Sequence, residues 1–114
     1  MTNEKRPWGE YDVLLDADNC KVKRIKVNPG QRLSYQYHFK RSEIWVIVSG
    51  TGVVTLNGVD QAVKPGDIIT IDTEQRHRIS SGTETLVFIE VQRGTYFGED
   101  DIVRISDDYN RVEN

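Results

Sequence analysis

Turn residues recur at short intervals along this 114-residue chain, and that punctuation limits the fold more than any other feature. Asn28-Pro29-Gly30, Gly50-Thr51-Gly52, Asn57-Gly58, Lys64-Pro65-Gly66-Asp67 and Ser81-Gly82-Thr83-Glu84 each supply residues that reverse a chain. Asn57-Gly58 is the strongest hairpin signal, because a two-residue hairpin needs positive φ at both central positions. Between the turns lie short apolar runs rich in β-branched residues. They predict strands over residues 11–15, 20–27, 33–39, 43–49, 53–56, 59–63, 68–71, 77–80 and 85–92. No segment before the C-terminus carries a helical period. Roughly eight to ten short strands separated by turns imply an all-β sandwich or barrel.

The length suits one domain, read as residues 1–114 with a barrel core at about 11–105 and polar termini. Residues 1–7 are polar, and the tail from Gly98 is acidic and then apolar, which fits a short strand or a turn of helix. From Asp107 onward a loosely held end is expected. A net charge of -3 implies no nucleic-acid partner. No apolar run approaches the ~20 residues of a membrane span, and no signal peptide is visible. The single Cys20 excludes an internal disulfide, so a cytoplasmic protein is expected.

Three side chains able to bind a metal, Gln36, His38 and Glu43, fall within eight residues. Residues i and i+2 share a strand face, so Gln36 and His38 point the same way. The Lys40–Ser42 corner can bring Glu43 beside His38, with Glu43 and Trp45 sharing the inward face. The only other histidine, His77, opens a later strand and completes the set if the sheet closes. Imidazole and carboxylate suit Zn, Mn, Fe, Co or Ni. Spacing alone does not separate such a site from hydrogen-bonded core groups. Between Cys20 and Val27 basic and apolar residues alternate, with a phase slip near Arg24 that predicts a bulge; most of the lysines are expected on a solvated face.

What decides the reading is a resemblance. Gly30…His38-x-Lys40…Glu43…Gly50, followed by Pro65-Gly66-Asp67 and His77, resembles the two-motif pattern of cupins, small double-stranded β-helix (jelly-roll) barrels. More narrowly, the chain is similar to the C-terminal cupin domain of type II phosphomannose isomerases. That domain usually follows a mannose-1-phosphate guanylyltransferase domain. The matching segments are R-P-W-G at 6–9, K-V-K-R-I at 21–25, P-G-x-x-L-S-x-Q-x-H at 29–38, R-S-E-x-W at 41–45, V-S-G-T at 48–51, H-R at 77–78, I-E-V-Q-x-G-x-Y-x-G-E-D-D-I-V-R at 89–104 and D-x-Y-x-R at 107–111. Histidine is common in the family where this chain has Phe39, Lys40 and Ile44. The family's P-x-G-x-x-H before the second motif is replaced by Asp72-Thr73-Glu74-Gln75-Arg76. Lys40 could oppose a bound cation if it points inward. There is no Gly-rich phosphate loop, so guanylyltransferase activity is not expected.

The resemblance implies one divalent ion, zinc first and Mn, Co, Ni or Fe behind it, held by Gln36, His38, Glu43 and His77. It implies interconversion of mannose 6-phosphate and fructose 6-phosphate. That reaction needs a base near C2, an electrophile for the sugar oxygens and a phosphate clamp. Glu90, on the long late strand, is the candidate base. Arg24 and Arg78 match family positions and rank first as cationic catalytic residues, ahead of Arg41, Arg104, Lys23 and Lys40. The competing function is a non-catalytic cupin that binds a sugar or sugar phosphate beside a separate nucleotidyltransferase. A homodimer is expected in either case.

Overall fold

A computed structural model describes residues 2–109. Eleven strands form among them: β1 Thr2–Arg6, β2 Gly9–Asp16, β3 Cys20–Val27, β4 Tyr35–His38, β5 Arg41–Ser49, β6 Gly52–Leu56, β7 Val59–Val63, β8 Ile68–Ile71, β9 His77–Ser81, β10 Leu86–Gly94 and β11 Ile102–Ser106. A single 3-10 turn, Glu99–Asp101, precedes β11. The strands pair antiparallel in two sheets, β1-β2-β3-β10-β5-β8 and β11-β4-β9-β6-β7. The two sheets face each other as the jelly-roll barrel implied by the sequence. No helix among the described residues is long and apolar enough to cross a membrane.

The turn residues explain the local geometry. Asn57 and Gly58 both take positive φ, 46° and 82°, as the tight β6–β7 hairpin requires. Gly66, at φ 93°, follows Pro65 in the turn that leads into β8, closed by the Asp67 amide donating to the Lys64 carbonyl at 3.1 Å.

The interior is graded along its length. On β3, β10 and β5 the inward residues Ile25, Phe88 and Ile47 lie level with one another, as do Lys23, Glu90 and Trp45, and then Lys21, Gln92 and Glu43. One end is dry, filled by Val27, Ile47, Val54, Ile79, Leu86 and Phe88. The other end buries polar groups, and it is there that chemistry can occur.

Several expectations change. The polar N-terminus forms β1, an edge strand paired with β2 from Thr2↔Val13 to Arg6↔Gly9. It is exposed along most of its length, so no hydrophobic pattern marks it; backbone pairing alone makes it a strand. The bulge lies in β2, between Val13 and Leu15, and β3 runs in regular alternation from Lys23 onward. Consequently Lys23, Ile25 and Val27 point inward, while Arg24 and Lys26 point out. Lys23 is therefore buried rather than solvated. The chain beyond Asp107 is tied down as far as described: Asp108 accepts two hydrogen bonds from Arg32, at 2.7 and 2.9 Å, and the Tyr109 hydroxyl bonds Gln31. Arg111 and the other residues after Tyr109 lie outside the described residues.

Candidate metal centre

Alternation along β5 puts Arg41, Glu43, Trp45 and Ile47 on the inward face. Across the barrel, β4 ends at His38 and β9 begins at His77, with Gln36 opposite His77 in the register. His38, Glu43 and His77 are each at most 3% exposed. One donor atom from each lies within 4.8 Å of the others. Each Glu43 oxygen faces one of the two stacked rings, Oε2 at 3.7 Å from His38 Nδ1 and Oε1 at 3.9 Å from His77 Nε2. Two donors on one tetrahedral zinc lie about 3.4 Å apart, so these separations are close to those within a ligand set. Gln36 lines the same cavity.

The protonation states suit ligation. His77 Nδ1 donates to the Gln75 carbonyl at 2.8 Å, which leaves its Nε2 lone pair facing Glu43. Burial lowers the His77 pKa to about 4. Burial, with the Arg41 guanidinium beside it, lowers that of His38 to about 2. Both rings are neutral near pH 7, as a metal requires.

The backbone around the ligands is fixed by hydrogen bonds. Asp101 accepts from the Lys40 amide at 3.0 Å and the Phe39 amide at 3.4 Å, which holds the corner between β4 and β5. The Glu74 amide donates to the His38 carbonyl at 2.6 Å, docking the 72–76 loop onto β4.

Glu90 lies in the same cavity, fully packed. Trp45 Nε1 donates to both Glu43 Oε1 (3.0 Å) and Glu90 Oε2 (3.1 Å), and Gln92 Nε2 donates to Glu90 Oε1. Burial, reinforced by the charge of Glu43, raises the Glu90 pKa to about 7. The cavity encloses about 70 Å³, room for an ion and a few waters. Arg6, Lys23 and Arg104 line it with the aromatic rings of Trp8 and Tyr11. Arg104 Nε is buried without a hydrogen-bond partner.

A protein-family profile described as mannose-6-phosphate isomerase C-terminal matches residues 2–107. The chain belongs to this mannose-6-phosphate isomerase C-terminal family. A mannose-1-phosphate guanylyltransferase from Escherichia coli (strain K12) is 44% identical over 108 residues, covering 94% of this chain but 23% of the relative. The chain thus spans about a quarter of that protein. Among solved structures, a Klebsiella pneumoniae protein with a double-stranded β-helix domain aligns at TM-score 0.70 and 26% identity, covering 75% of this chain and 76% of the other. A protein described as a predicted oxalate decarboxylase from Thermotoga maritima aligns at 0.71 and 30%, covering 75% and 79%. The fold is the cupin double-stranded β-helix.

Of the departures from the resembled pattern, Phe39, Lys40 and Ile44 point away from the donors, whereas the 72–76 loop touches them through its backbone, Glu74 at His38 and Gln75 at His77. Phe39 and Lys40 are exposed, with Lys40 Nζ 5.1 Å over the Tyr96 ring, and Ile44 faces outward from β5. Their substitution leaves the donor set whole. Two of the expected catalytic cations are not in the cavity. Arg24 projects from the outer face of β3 and pairs with Asp12 at 2.8 Å, because the phase of β3 turns Lys23 inward instead. Arg78 alternates with the inward His77 and Ile79, so it lies behind the second sheet. There its Nε donates to the Leu33 carbonyl at 2.8 Å and its Nη2 to the Ser106 carbonyl at 3.1 Å, a structural clamp. The residue that inspection of the sequence undervalued is Arg41. Its guanidinium, 6% exposed, donates to Glu43 Oε2 at 2.9 Å and reaches His38 Nε2 at 2.7 Å. The signal was available: Glu43 and Trp45 share the inward face, and one further step of two gives Arg41.

Proposed function

We propose that the chain is a divalent-metal-dependent aldose–ketose isomerase that interconverts mannose 6-phosphate and fructose 6-phosphate. The observation that carries this reading is a buried carboxylate, Glu90, in one cavity with the His38, Glu43 and His77 donors. Gln36, His38, Glu43 and His77 would hold the metal, and the donor chemistry favours zinc. Bound there, the ion would act as a Lewis acid toward the sugar oxygens.

The protein groups supply the proton transfer. A carboxylate with a pKa near the working pH both accepts and returns a proton efficiently. Glu90 takes the proton from C2 of the aldose while the C1 carbonyl oxygen gains a proton from water, giving the enediol; Glu90 then returns its proton to C1 as the C2 hydroxyl gives its proton back to water, leaving the C2 ketone. Trp45 and Gln92 each bond one Glu90 oxygen and fix its orientation. Lys23, Arg104 and Arg6 replace Arg24 and Arg78 as the proposed phosphate-binding cations, since they line the cavity. The cavity is open to solvent on one side, and the sugar would enter from there.

The test is a coupled isomerase assay on metal-free protein supplemented in turn with Zn, Mn, Co and Ni. Turnover with at least one ion is expected, and Glu90→Gln should lower it by about 10²-fold or more while sugar-phosphate binding persists. No turnover with any of the four ions would sink the reading. Binding of the sugar phosphate without turnover would favour the second reading, a non-catalytic sugar-phosphate cupin; the observation on its side is the Arg41 guanidinium lodged among the donors.

We propose as partner a second copy of the chain. The outer face of the six-stranded sheet is apolar at its centre, where Ile44 and Val46 of β5 lie beside Ile89 and Val91 of β10. An antiparallel sheet that faces only water normally alternates to polar residues there.

A further inference from the structure

The metal reading leaves Arg41 unaccounted for, and Arg41 constrains that reading sharply. Its guanidinium can only donate hydrogen bonds. At 2.7 Å from Arg41 Nη2, His38 Nε2 must therefore be the accepting, unprotonated nitrogen of the ring. A neutral imidazole carries one such lone pair, and Arg41 is using it. If His38 changed tautomer to free Nδ1 for a metal, Nε2–H would meet Arg41 N–H, donor against donor, at that same distance. Arg41 also takes Glu43 Oε2 at 2.9 Å, the carboxylate oxygen nearer His38. One cation thus holds a lone pair from each of two of the three donors.

We infer that Arg41 is the resident cation of the metal-free site and that a metal binds only by exchange with it. The two occupants are mutually exclusive on His38. The charge balance leads to the same result: Glu43, 2% exposed, needs a positive partner when no metal is bound, and Arg41 provides it. A divalent ion beside an unmoved guanidinium would instead leave an excess of buried positive charge, with Lys23 already buried in the same cavity. The guanidinium has one weak outward tether, Nη1 to the Phe97 carbonyl at 3.4 Å, so release from His38 and Glu43 frees it from its strong bonds. The inference rests on the metal reading of this donor set, and deepens it: the measured affinity for metal is the intrinsic affinity reduced by the displacement of Arg41.

The experiment is calorimetric titration of metal-free protein with zinc alone, for wild type, Arg41→Gln and Arg41→Lys. Arg41→Gln is expected to bind zinc at least tenfold more tightly than wild type. Arg41→Lys, which keeps the charge without the two-pronged fork, should fall between. Zinc affinity in Arg41→Gln equal to or weaker than wild type overturns exchange. Should Arg41→Gln not fold without metal, the wild type suffices. Its buried Arg41 Nε–H, bonded to Glu43, should give a slowly exchanging signal in nitrogen-15 NMR that is lost at one equivalent of zinc; persistence of that signal in zinc-saturated protein overturns the inference. Failure of both wild type and Arg41→Gln to bind zinc, manganese, cobalt or nickel removes the metal reading itself and the exchange with it. Binding by the variant alone is the extreme form of the expected result.

Discussion

Glu90 makes the cost of a buried site measurable at a single residue. Its carboxyl pKa rises from 4.5 to about 7 on folding. The folded state therefore holds a proton that the unfolded chain has lost across that window. The associated stability is fully present below pH 4.5 and is lost as pH rises through 7. The two histidines act in the opposite direction, since their lowered pKa values withdraw stability as pH falls below 6.5. Comparing variants separates these effects. In metal-free protein Glu90→Gln, which mimics the neutral acid, should melt close to wild type at pH 5 and clearly above it at pH 8, a gain of about 2–3 kcal/mol. Thermal melts across pH 4.5–8 check this, and a constant offset between the two proteins would refute it. How legible such residues were in the sequence depended on strand phase. His38, Glu43 and His77 could be read through the resemblance to the cupin motifs, since their spacing alone fits core groups equally well. By sequence Arg24 ranks ahead of Lys23 as a phosphate-binding cation, and the order is reversed in the fold, because a bulge on β2 leaves β3 regular and its alternation turns Lys23, not Arg24, into the cavity.

At the scale of elements, the corner between β4 and β5 sets the donor geometry, and Asp101 holds it. That residue comes from the 3-10 turn more than sixty positions later and accepts from two consecutive backbone amides. Removing it frees the corner on whose two sides His38 and Arg41 lie. Groups that orient metal ligands typically contribute 10- to 100-fold in affinity, so Asp101→Ala should weaken zinc binding by about tenfold or more in calorimetry. Unchanged affinity would show that β4 and β5 hold their ligands unaided. The β6–β7 hairpin offers a contrasting case, away from the site. Gly58→Ala forces a Cβ onto a residue at φ 82°, where nothing lies within 4 Å. The penalty is thus conformational, about 1–2 kcal/mol in urea unfolding, with zinc affinity unchanged. This hairpin was legible from two residues. β1 was not, since an exposed edge strand carries no apolar period. Nor was the start of β5 at Arg41, because a charged residue in a charged corner reads as a turn until strand alternation is extended through it.

For the whole molecule, the question is what covers the outer face of the larger sheet. In the paired registers, Val22, Val91, Ile44 and Thr70 form one outward row, and Arg24, Ile89, Val46 and Ile68 form the next. Val48 and Ile68 extend the patch and are 51% and 68% exposed. Six strands of these lengths, spaced about 4.8 Å apart with a rise of about 3.3 Å per residue, present a face of roughly 700 Å². A stable protein interface takes roughly 800 Å² from each partner, so the sheet with its rim suffices for one. Two copies related by a two-fold axis would stack these faces, with the apolar centres in contact and the Arg24–Asp12 pairs at the rim. This differs from pairing edge to edge across the axis, which would leave the apolar rows in water. Val46→Lys places a charge in the middle of the patch while leaving the barrel interior untouched, because Val46 alternates with the buried Trp45 and Ile47. Sedimentation at micromolar concentration should find a dimer for wild type and a folded monomer for Val46→Lys. A wild-type monomer would rule out face-to-face dimerisation at that concentration. A dimer that survives Val46→Lys would mean that the copies meet elsewhere, with the edge strands β1, β7, β8 and β11 among the described surfaces able to pair.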